Sequence, residues 1–367
     1  MSAHATDVAI VGGGIVGASC AYFLAERGES VLLLESGRVG RESSGVNAGG
    51  VRQQGRALPE IPLALESLDL WATLDRRLDA HVEYERCGDL RIVESAEDAE
   101  RLRAVAAREE AAGLPLEWVE GAALRSLVPA LSPRVIGGMF CATGGQANPL
   151  RVAPIFGRRA QDHGAVVWEG CPVQALARDG DGFALETPNG VVRAGRLVLS
   201  AGAWTPLLSR SLDIDPPISY FVPQMSVTAP LPRVLTPVLL GFGRKLSMKQ
   251  ARSGGMVIGG GKRGWGNLET RARGPAEENV RLAAVDAVEV LPVLERAEMT
   301  RSWVGLEALT PDEIPVIDLI GGVFLAAGFC GHGFAIGPVV GRLLAEWIAE
   351  DKPSMDLSAF RLGRFGT

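Results

Sequence analysis

Gly12, Gly14 and Gly17 stand at G-x-G-x-x-G spacing directly after the apolar run Val8-Ala9-Ile10-Val11, and Glu35 closes a second apolar run, Val31-Leu32-Leu33-Leu34. The flanks give the pattern its meaning, because a glycine turn between a strand and a helix brings unpaired N–H groups and a positive dipole end toward phosphates. Gly12 allows the tight turn, Gly14 lets the backbone approach a pyrophosphate, and Gly17 lets helix and strand pack closely. Gly13, Ile15 and Val16 complete the turn and the helix start. Glu35, with Ser36 after it, offers a carboxylate to a ribose diol and repels a 2′-phosphate. An adenine dinucleotide is expected here. By itself the motif would also permit a nicotinamide cofactor.

Three further segments carry candidate chemistry. Ser43, Ser44, Asn47, Ala48, Gly49 and Gly50 offer small polar contacts, with Arg52 and Arg56 close behind. Ser200-Ala201-Gly202-Ala203-Trp204 ends an apolar strand in a tight small-residue turn that permits close backbone approach to a ligand. Near the far end, Gly331-His332-Gly333-Phe334 leads from an apolar strand into a helix. Strand, glycine turn and helix start therefore occur at both ends of the chain. One cofactor long enough to need both explains this better than two nucleotide sites.

These residues must be held by regular elements. Ile61, Leu65, Leu68, Trp71 and Leu74 recur at three or four, predicting an amphipathic helix over 61–74. Cys87 to Glu94 reads as a strand, and Ala96 to Ala112 as a charged surface helix with Ser95 as N-cap. Thr187-Pro188-Asn189-Gly190 signals a hairpin, and Pro216 to Gly260 alternates short strands with Pro and Gly turns, as in an antiparallel sheet. A helix is expected from Pro275 to Val290, with Pro275 in its first turn. Gly322 to Gly328 reads as a strand, and about Ile336 to Glu350 as the last long helix.

The 367 residues suffice for two lobes. Lys and Arg number 37 against 43 acids, a net charge of −6, and no basic cluster occurs, which argues against nucleic acid as a partner. Five scattered cysteines form no C-x-x-C, so a reducing compartment is expected and a disulfide framework is not. His4, His81, His163 and His332 have no neighbouring ligand in sequence, so no metal site is expected. The N-terminus lacks a signal-peptide pattern, and the apolar stretch 323–348 is interrupted by His332, Arg342 and glycines. A cytoplasmic protein without an integral membrane segment is the expectation.

Taken together, GGGIVG with Glu35, SAGAW at 200–204, WVGLEALTPDEIPVID at 303–318 and GFCGHGF at 328–334 resemble a flavoprotein family. It includes D-amino acid oxidase, glycine oxidase and sarcosine oxidase, and the flavin subunits of proline, opine and sarcosine dehydrogenase complexes. The likeness spans the whole chain. It implies an α/β fold: a Rossmann-like FAD-binding domain of the glutathione-reductase-like, D-amino acid oxidase type, with a second α+β substrate domain on an antiparallel sheet. The expected boundaries are 1–80, 145–215 and 319–367 for the first, 81–144 and 216–318 for the second.

The resemblance further implies FAD, with its ADP half in the Gly12 cradle and its ring between the lobes. Val173 and Gly305 join the segments above as cofactor contacts, and Gly331 to Phe334 approach the pyrimidine edge of the ring. The implied activity is oxidation of the C–N bond of an amino acid or secondary amine, an opine, a proline or an N-alkyl amino acid, by hydride transfer to flavin N5. The alternatives are a glycine or D-amino acid oxidase using oxygen, or an FAD-binding electron-relay subunit. A dehydrogenase of this kind would pass electrons to partner subunits. Lys245, in Lys245-Leu246-Ser247-Met248-Lys249, resembles the lysine that monomeric sarcosine oxidases put beneath the flavin. With His332 and Arg52 it forms the implied catalytic set.

Three departures bear on substrate and attachment. The flavin-linking cysteine of monomeric sarcosine oxidases falls at Gly305, so FAD is expected to be held non-covalently. The carboxylate-binding arginine of glycine oxidase falls at Glu307, and the corresponding sarcosine oxidase lysine at Ala335. Arg52, Arg56, Lys249 or Arg301 are left as anchors, since an arginine can grip a carboxylate bidentately. Glu307 would then face a cationic group on a larger substrate.

Overall fold

In the computed structural model, which describes residues 4–366, the opening motif forms β1 (His4–Val11), α1 (Ile15–Glu26) and β2 (Val31–Leu34). β1 pairs in parallel with β2 on one side and with β3 (Gly190–Leu199) on the other, and β3 pairs in parallel with β4 (Val323–Ala327). Val166–Trp168 extends the sheet beyond β2 in parallel, and Val316–Ile320 closes the other edge antiparallel to β4. The hairpin predicted at Asn189-Gly190 joins Gly182–Thr187 to β3.

The register places Val11 opposite both Leu34 and Leu199, and Leu199 opposite Leu325. The carboxyl ends of four parallel strands therefore open at one level. From β1 the chain crosses to β2 on one side, whereas β3 has β4 on its other side, so the strand order reverses between β1 and β3, which is where open α/β sheets bind ligands.

Every residue of α1 from Ile15 to Ala25 is buried. A helix apolar all round must be enclosed, and α1 lies between the sheet and two further helices, Pro149–Asp162 and the late helix Gly333–Glu350. The amphipathic segment forms α2 (Ile61–Arg77), whose buried Ser67, Leu68, Trp71 and Leu74 pack toward that late helix, now termed α3. α3 begins at Gly333, three residues before the expected Ile336. The apolar period becomes visible only past the glycines.

A second eight-stranded sheet runs Met299–Val304, Gln224–Pro230, Gly255–Gly259, Ser247–Gln250, Val238–Gly241, Asp89–Val93, Gly137–Cys141, Leu116–Glu120. It is antiparallel except where Val238–Gly241 meets Asp89–Val93. We propose from this distribution of strands the domain boundaries given above. Ser95 caps the helix Ala96–Ala111, its hydroxyl accepting from the Asp98 amide at 3.1 Å. The helix expected from Pro275 starts at Glu277, so Pro275 precedes its cap, Ala276. No helix among the described residues is long and apolar enough to cross a membrane. Nor do they contain a group of three or more His, Cys, Asp or Glu side chains arranged to hold a metal ion.

Candidate active site

The strand ends open into a cleft of about 330 Å³. From the first motif it is lined by Gly12, Gly14, Ile15, Val16, Glu35 and Ser36, and from the following loop by Ser43, Ser44 and Asn47. Val173, Ser200, Ala201, Gly202 and Trp204 form another wall, and Gly331, Gly333 and Phe334 a third. The cleft thus gathers residues from both ends of the chain.

Local structure explains the cradle. Gly12 has φ +106, and a Cβ there would lie 2.5 Å from the Ser200 carbonyl oxygen, so only glycine lets β1 turn beside β3. A Cβ on Gly17 would run into the Gly12 carbonyl. Gly13 and Gly17 are therefore packing positions beneath the cleft. The Glu35 carboxylate accepts from the Gly13 amide at 2.8 Å and the Gly37 amide at 2.7 Å, which fixes it at the cleft wall. Its remaining lone pairs can accept from a ribose diol. Ser44 Oγ accepts from the Ile15 amide at 2.8 Å, tying the 43–47 loop to the start of α1. Asn47 caps the short helix Ser43–Val46 through bonds to the Ser43 and Ser44 carbonyls. These features fit a dinucleotide: small residues where phosphates need backbone contact, a helix N-terminus, and a carboxylate for the ribose.

Some cofactor contacts expected from sequence sit elsewhere. Ala48, Gly49 and Gly50 continue away from the cleft lining, and Gly50 pairs with Gln146 across a two-stranded ribbon. Gly305 packs under Val46, where an added Cβ would lie 2.5 Å from Val46 Cγ2, so this position has neither a thiol nor room for one. Sequence reasoning missed Arg271. Its guanidinium donates to Ser36 Oγ at 2.9 Å and lies 4.8 Å over the Trp204 ring, reaching the cleft rim from the antiparallel lobe. Nothing in its surrounding sequence, Glu269-Thr270-Arg271-Ala272-Arg273, marks it.

The two lysines separate clearly. Lys245 is exposed in the loop before Ser247–Gln250, so the position expected beneath a flavin is a surface one. Lys249, on that strand, is only 5% exposed; its Nζ donates to the Ala147 carbonyl at 2.9 Å, beside Gly49. Burial pushes it down to about 8. Of the two, Lys249 is the enclosed cation.

The arginines also differ. Arg56 is buried among Glu60, Asp89 and Glu109; Nη2 donates to the Arg52 carbonyl at 3.2 Å, while Nε and Nη1 lack partners among the described residues. It compensates interior carboxylates and does not line the cleft. Arg52 folds over Gly50 and, among the described residues, has no carboxylate within 4 Å. Burial, then the charge of Arg56, pushes it down to about 9. Arg301 is exposed and stacks 4.9 Å over Trp303, whose indole donates to the Val46 carbonyl at 2.8 Å.

Glu307 lines the cleft beside the Gly331 backbone, with no Lys or Arg within 4 Å among the described residues. Burial lifts its carboxyl to about 7, against the Gly331 amide and the charge of Arg56. His332 precedes α3, and its Nδ1 lies 3.0 and 2.9 Å from the two oxygens of the fully buried Glu60. Burial and the charge of Arg56 push His332 down to about 4, so the imidazole is neutral at physiological pH. Glu60 was invisible as a site residue in the sequence, where it looks like an ordinary acid in a helix's first turn.

A parallel sheet with this glycine cradle at its strand ends defines the class of dinucleotide-binding oxidoreductases. Residues 7–347 match the family described as DAO, FAD dependent oxidoreductase, and the chain belongs to it. It is an FAD-dependent oxidoreductase. Among curated relatives, glycine oxidase of Geobacillus kaustophilus is 28% identical, covering 98% of this chain and 97% of its own. One subunit of the opine oxidase of Rhizobium meliloti is also 28% identical, covering 99% and 98%. The solved L-proline dehydrogenase of P. horikoshii superposes with a TM-score of 0.92 at 26% identity, covering 100% of this chain and 99% of that one.

Proposed function

We propose that this enzyme oxidises the C–N bond of a zwitterionic secondary amine or N-substituted amino acid to an imine, and that water then hydrolyses the imine. The observation that carries the proposal is Glu307, a carboxylate in the cleft lining with no Lys or Arg within 4 Å among the described residues; Arg52, outside that lining and near the buried charge of Asp89, is the candidate anchor for a substrate carboxylate. A substrate bearing both a carboxylate and a cationic group supplies both partners, and desolvation makes each pairing selective.

Bound FAD would supply the acceptor for the hydride leaving the substrate carbon. Gly12, Gly14, Glu35 and Ser44 hold its nucleotide portion; Gly331 and Gly333 present the α3 N-terminus, which favours negative charge. Arg52 takes the substrate carboxylate and orients the C–H bond. Glu307 selects a second cationic group, such as the guanidinium of an arginine-derived opine. Lys249 places a positive charge beneath the 47–50 loop.

The named activities of the relatives support a C–N substrate, and the naming of the opine oxidase relative as one subunit of its enzyme supports partner subunits that carry electrons onward. The test is anaerobic mixing of the FAD-loaded protein with glycine, D-amino acids, sarcosine, proline and opines, following flavin bleaching. Opines bearing a cationic side chain are expected to bleach fastest. Failure of every amine to bleach the flavin overturns the proposal in favour of an electron-relay role, and preference for glycine overturns the assignment of Glu307.

A further inference from the structure

α2 and its lead-in grip the first turn of α3 at three points on one helix face. Glu60, Ser67 and Trp71 are spaced by seven and four, so they project from the same side. Ser67 Oγ donates to the Ala335 carbonyl, the Trp71 indole donates to the same carbonyl at 2.7 Å, and Glu60 holds His332 Nδ1. Glu60 is 0% exposed, and Oε2 also accepts from the Ala57 amide at 3.2 Å. Its orientation is therefore set before a ligand arrives. A carboxylate only accepts, so the proton between the two groups belongs to Nδ1. Nε2 is left as the free lone pair. It has no hydrogen-bond partner among the described residues, and the side chain keeps 16% exposure; in sequence His332 stands between the cleft-lining Gly331 and Gly333.

We propose that Glu60 is a positioning residue that holds His332 as a proton acceptor for the substrate amine, with Nε2 presented to the cleft. The substrate N–H bond breaks, its proton forms a bond to Nε2, and the electron pair remains on nitrogen, where it drives departure of the hydride. The imidazolium formed is paired with Glu60. This division of roles resembles any base oriented by a buried carboxylate. The surrounding charges are Arg52 and Arg56 from the preceding loop, which oppose protonation, and Glu60, which favours it; Glu307 lies across Gly331.

The proposal rests on amine oxidation only for the identity of the proton donor. Its test is the ring state of His332 in the FAD-loaded protein, read by carbon and nitrogen NMR at neutral pH, with His332→Gln identifying the signal among four histidines. The wild type is expected as the Nδ1–H tautomer. Glu60→Gln is expected to mix tautomers, slow anaerobic flavin reduction by roughly ten- to a hundredfold, shift its acid limb to lower pH, and leave substrate affinity within about twofold. An Nε2–H ring in the wild type overturns the positioning role. So does a Glu60→Gln protein whose only change is lower thermal stability. No bleaching by any amine overturns the base role together with the substrate reading.

Discussion

Glu307→Gln removes a charge that burial disfavours, and the structure sets the sign and size of the effect. Burial lifts this carboxyl from about 4.5 to about 7. Between those values the folded protein holds a proton that the unfolded chain has lost, so stability is fully present below the lower value and falls as pH rises through the upper one. At about 1.4 kcal/mol per unit, the loss is roughly 3 kcal/mol. That is an upper bound, because the carboxylate keeps an opening to the cleft. For 367 residues this corresponds to a melting shift of roughly 4 °C. Melting curves of the FAD-loaded wild type and Glu307→Gln at fixed FAD should coincide near pH 4 and be fully separated above pH 7, with the variant melting higher. A cationic ligand that pairs with Glu307 should close the gap by raising the wild type alone. A constant difference between pH 5 and pH 9 would refute the reasoning, since it would mean that Glu307 is solvated or already paired.

Gly12→Ala should abolish FAD retention after gel filtration, read as the flavin-to-protein absorbance ratio, because its Cβ would meet the Ser200 carbonyl at 2.5 Å on a left-handed backbone. Arg52→Ala should weaken carboxylate substrates by about a hundredfold, on the order of 2–3 kcal/mol for a charged hydrogen bond, while decarboxylated amines lose little; equal losses for both would remove Arg52 as anchor. Lys249→Met should slow reoxidation of the reduced enzyme by oxygen by roughly tenfold, as expected for the loss of a buried charge near an accumulating anion, whereas Lys245→Met should leave it unchanged. Stopped-flow reoxidation distinguishes the two, and a matching effect at Lys245 would contradict the exposure of that side chain.

The cofactor cradle was legible because it is local. β1, the glycine turn, α1 and β2 are contiguous, each glycine answers a steric demand within the unit, and Glu35 ends the strand that positions it. GFCGHGF was legible for the same reason: its glycines form one strand-to-helix turn. Lysine placement was not, because Met248, Lys249 and Gln250 are all buried and no alternation tells which side chain points inward. Arg56 looked like an anchor because a sequence shows an arginine's charge and hides the three carboxylates gathered around it.

Glu60 shows what such locality leaves out. Its contact is with a residue 272 positions away, and no pattern at the start of α2, which it immediately precedes, distinguishes it from an acid placed there for the helix dipole. Ser67 and Trp71 complete the pattern only when α3 lies across them, both donating to a carbonyl already within the first helical turn. Three ordinary residue types thus fix the helix N-terminus that faces the cleft. The strongest motif in the chain determines where the nucleotide lies, while the geometry at the reacting end depends on this long-range clamp. A change at Ser67 or Trp71 should therefore perturb the His332 ring and the rate of flavin reduction while leaving FAD retention intact, which separates the two halves of the site by experiment.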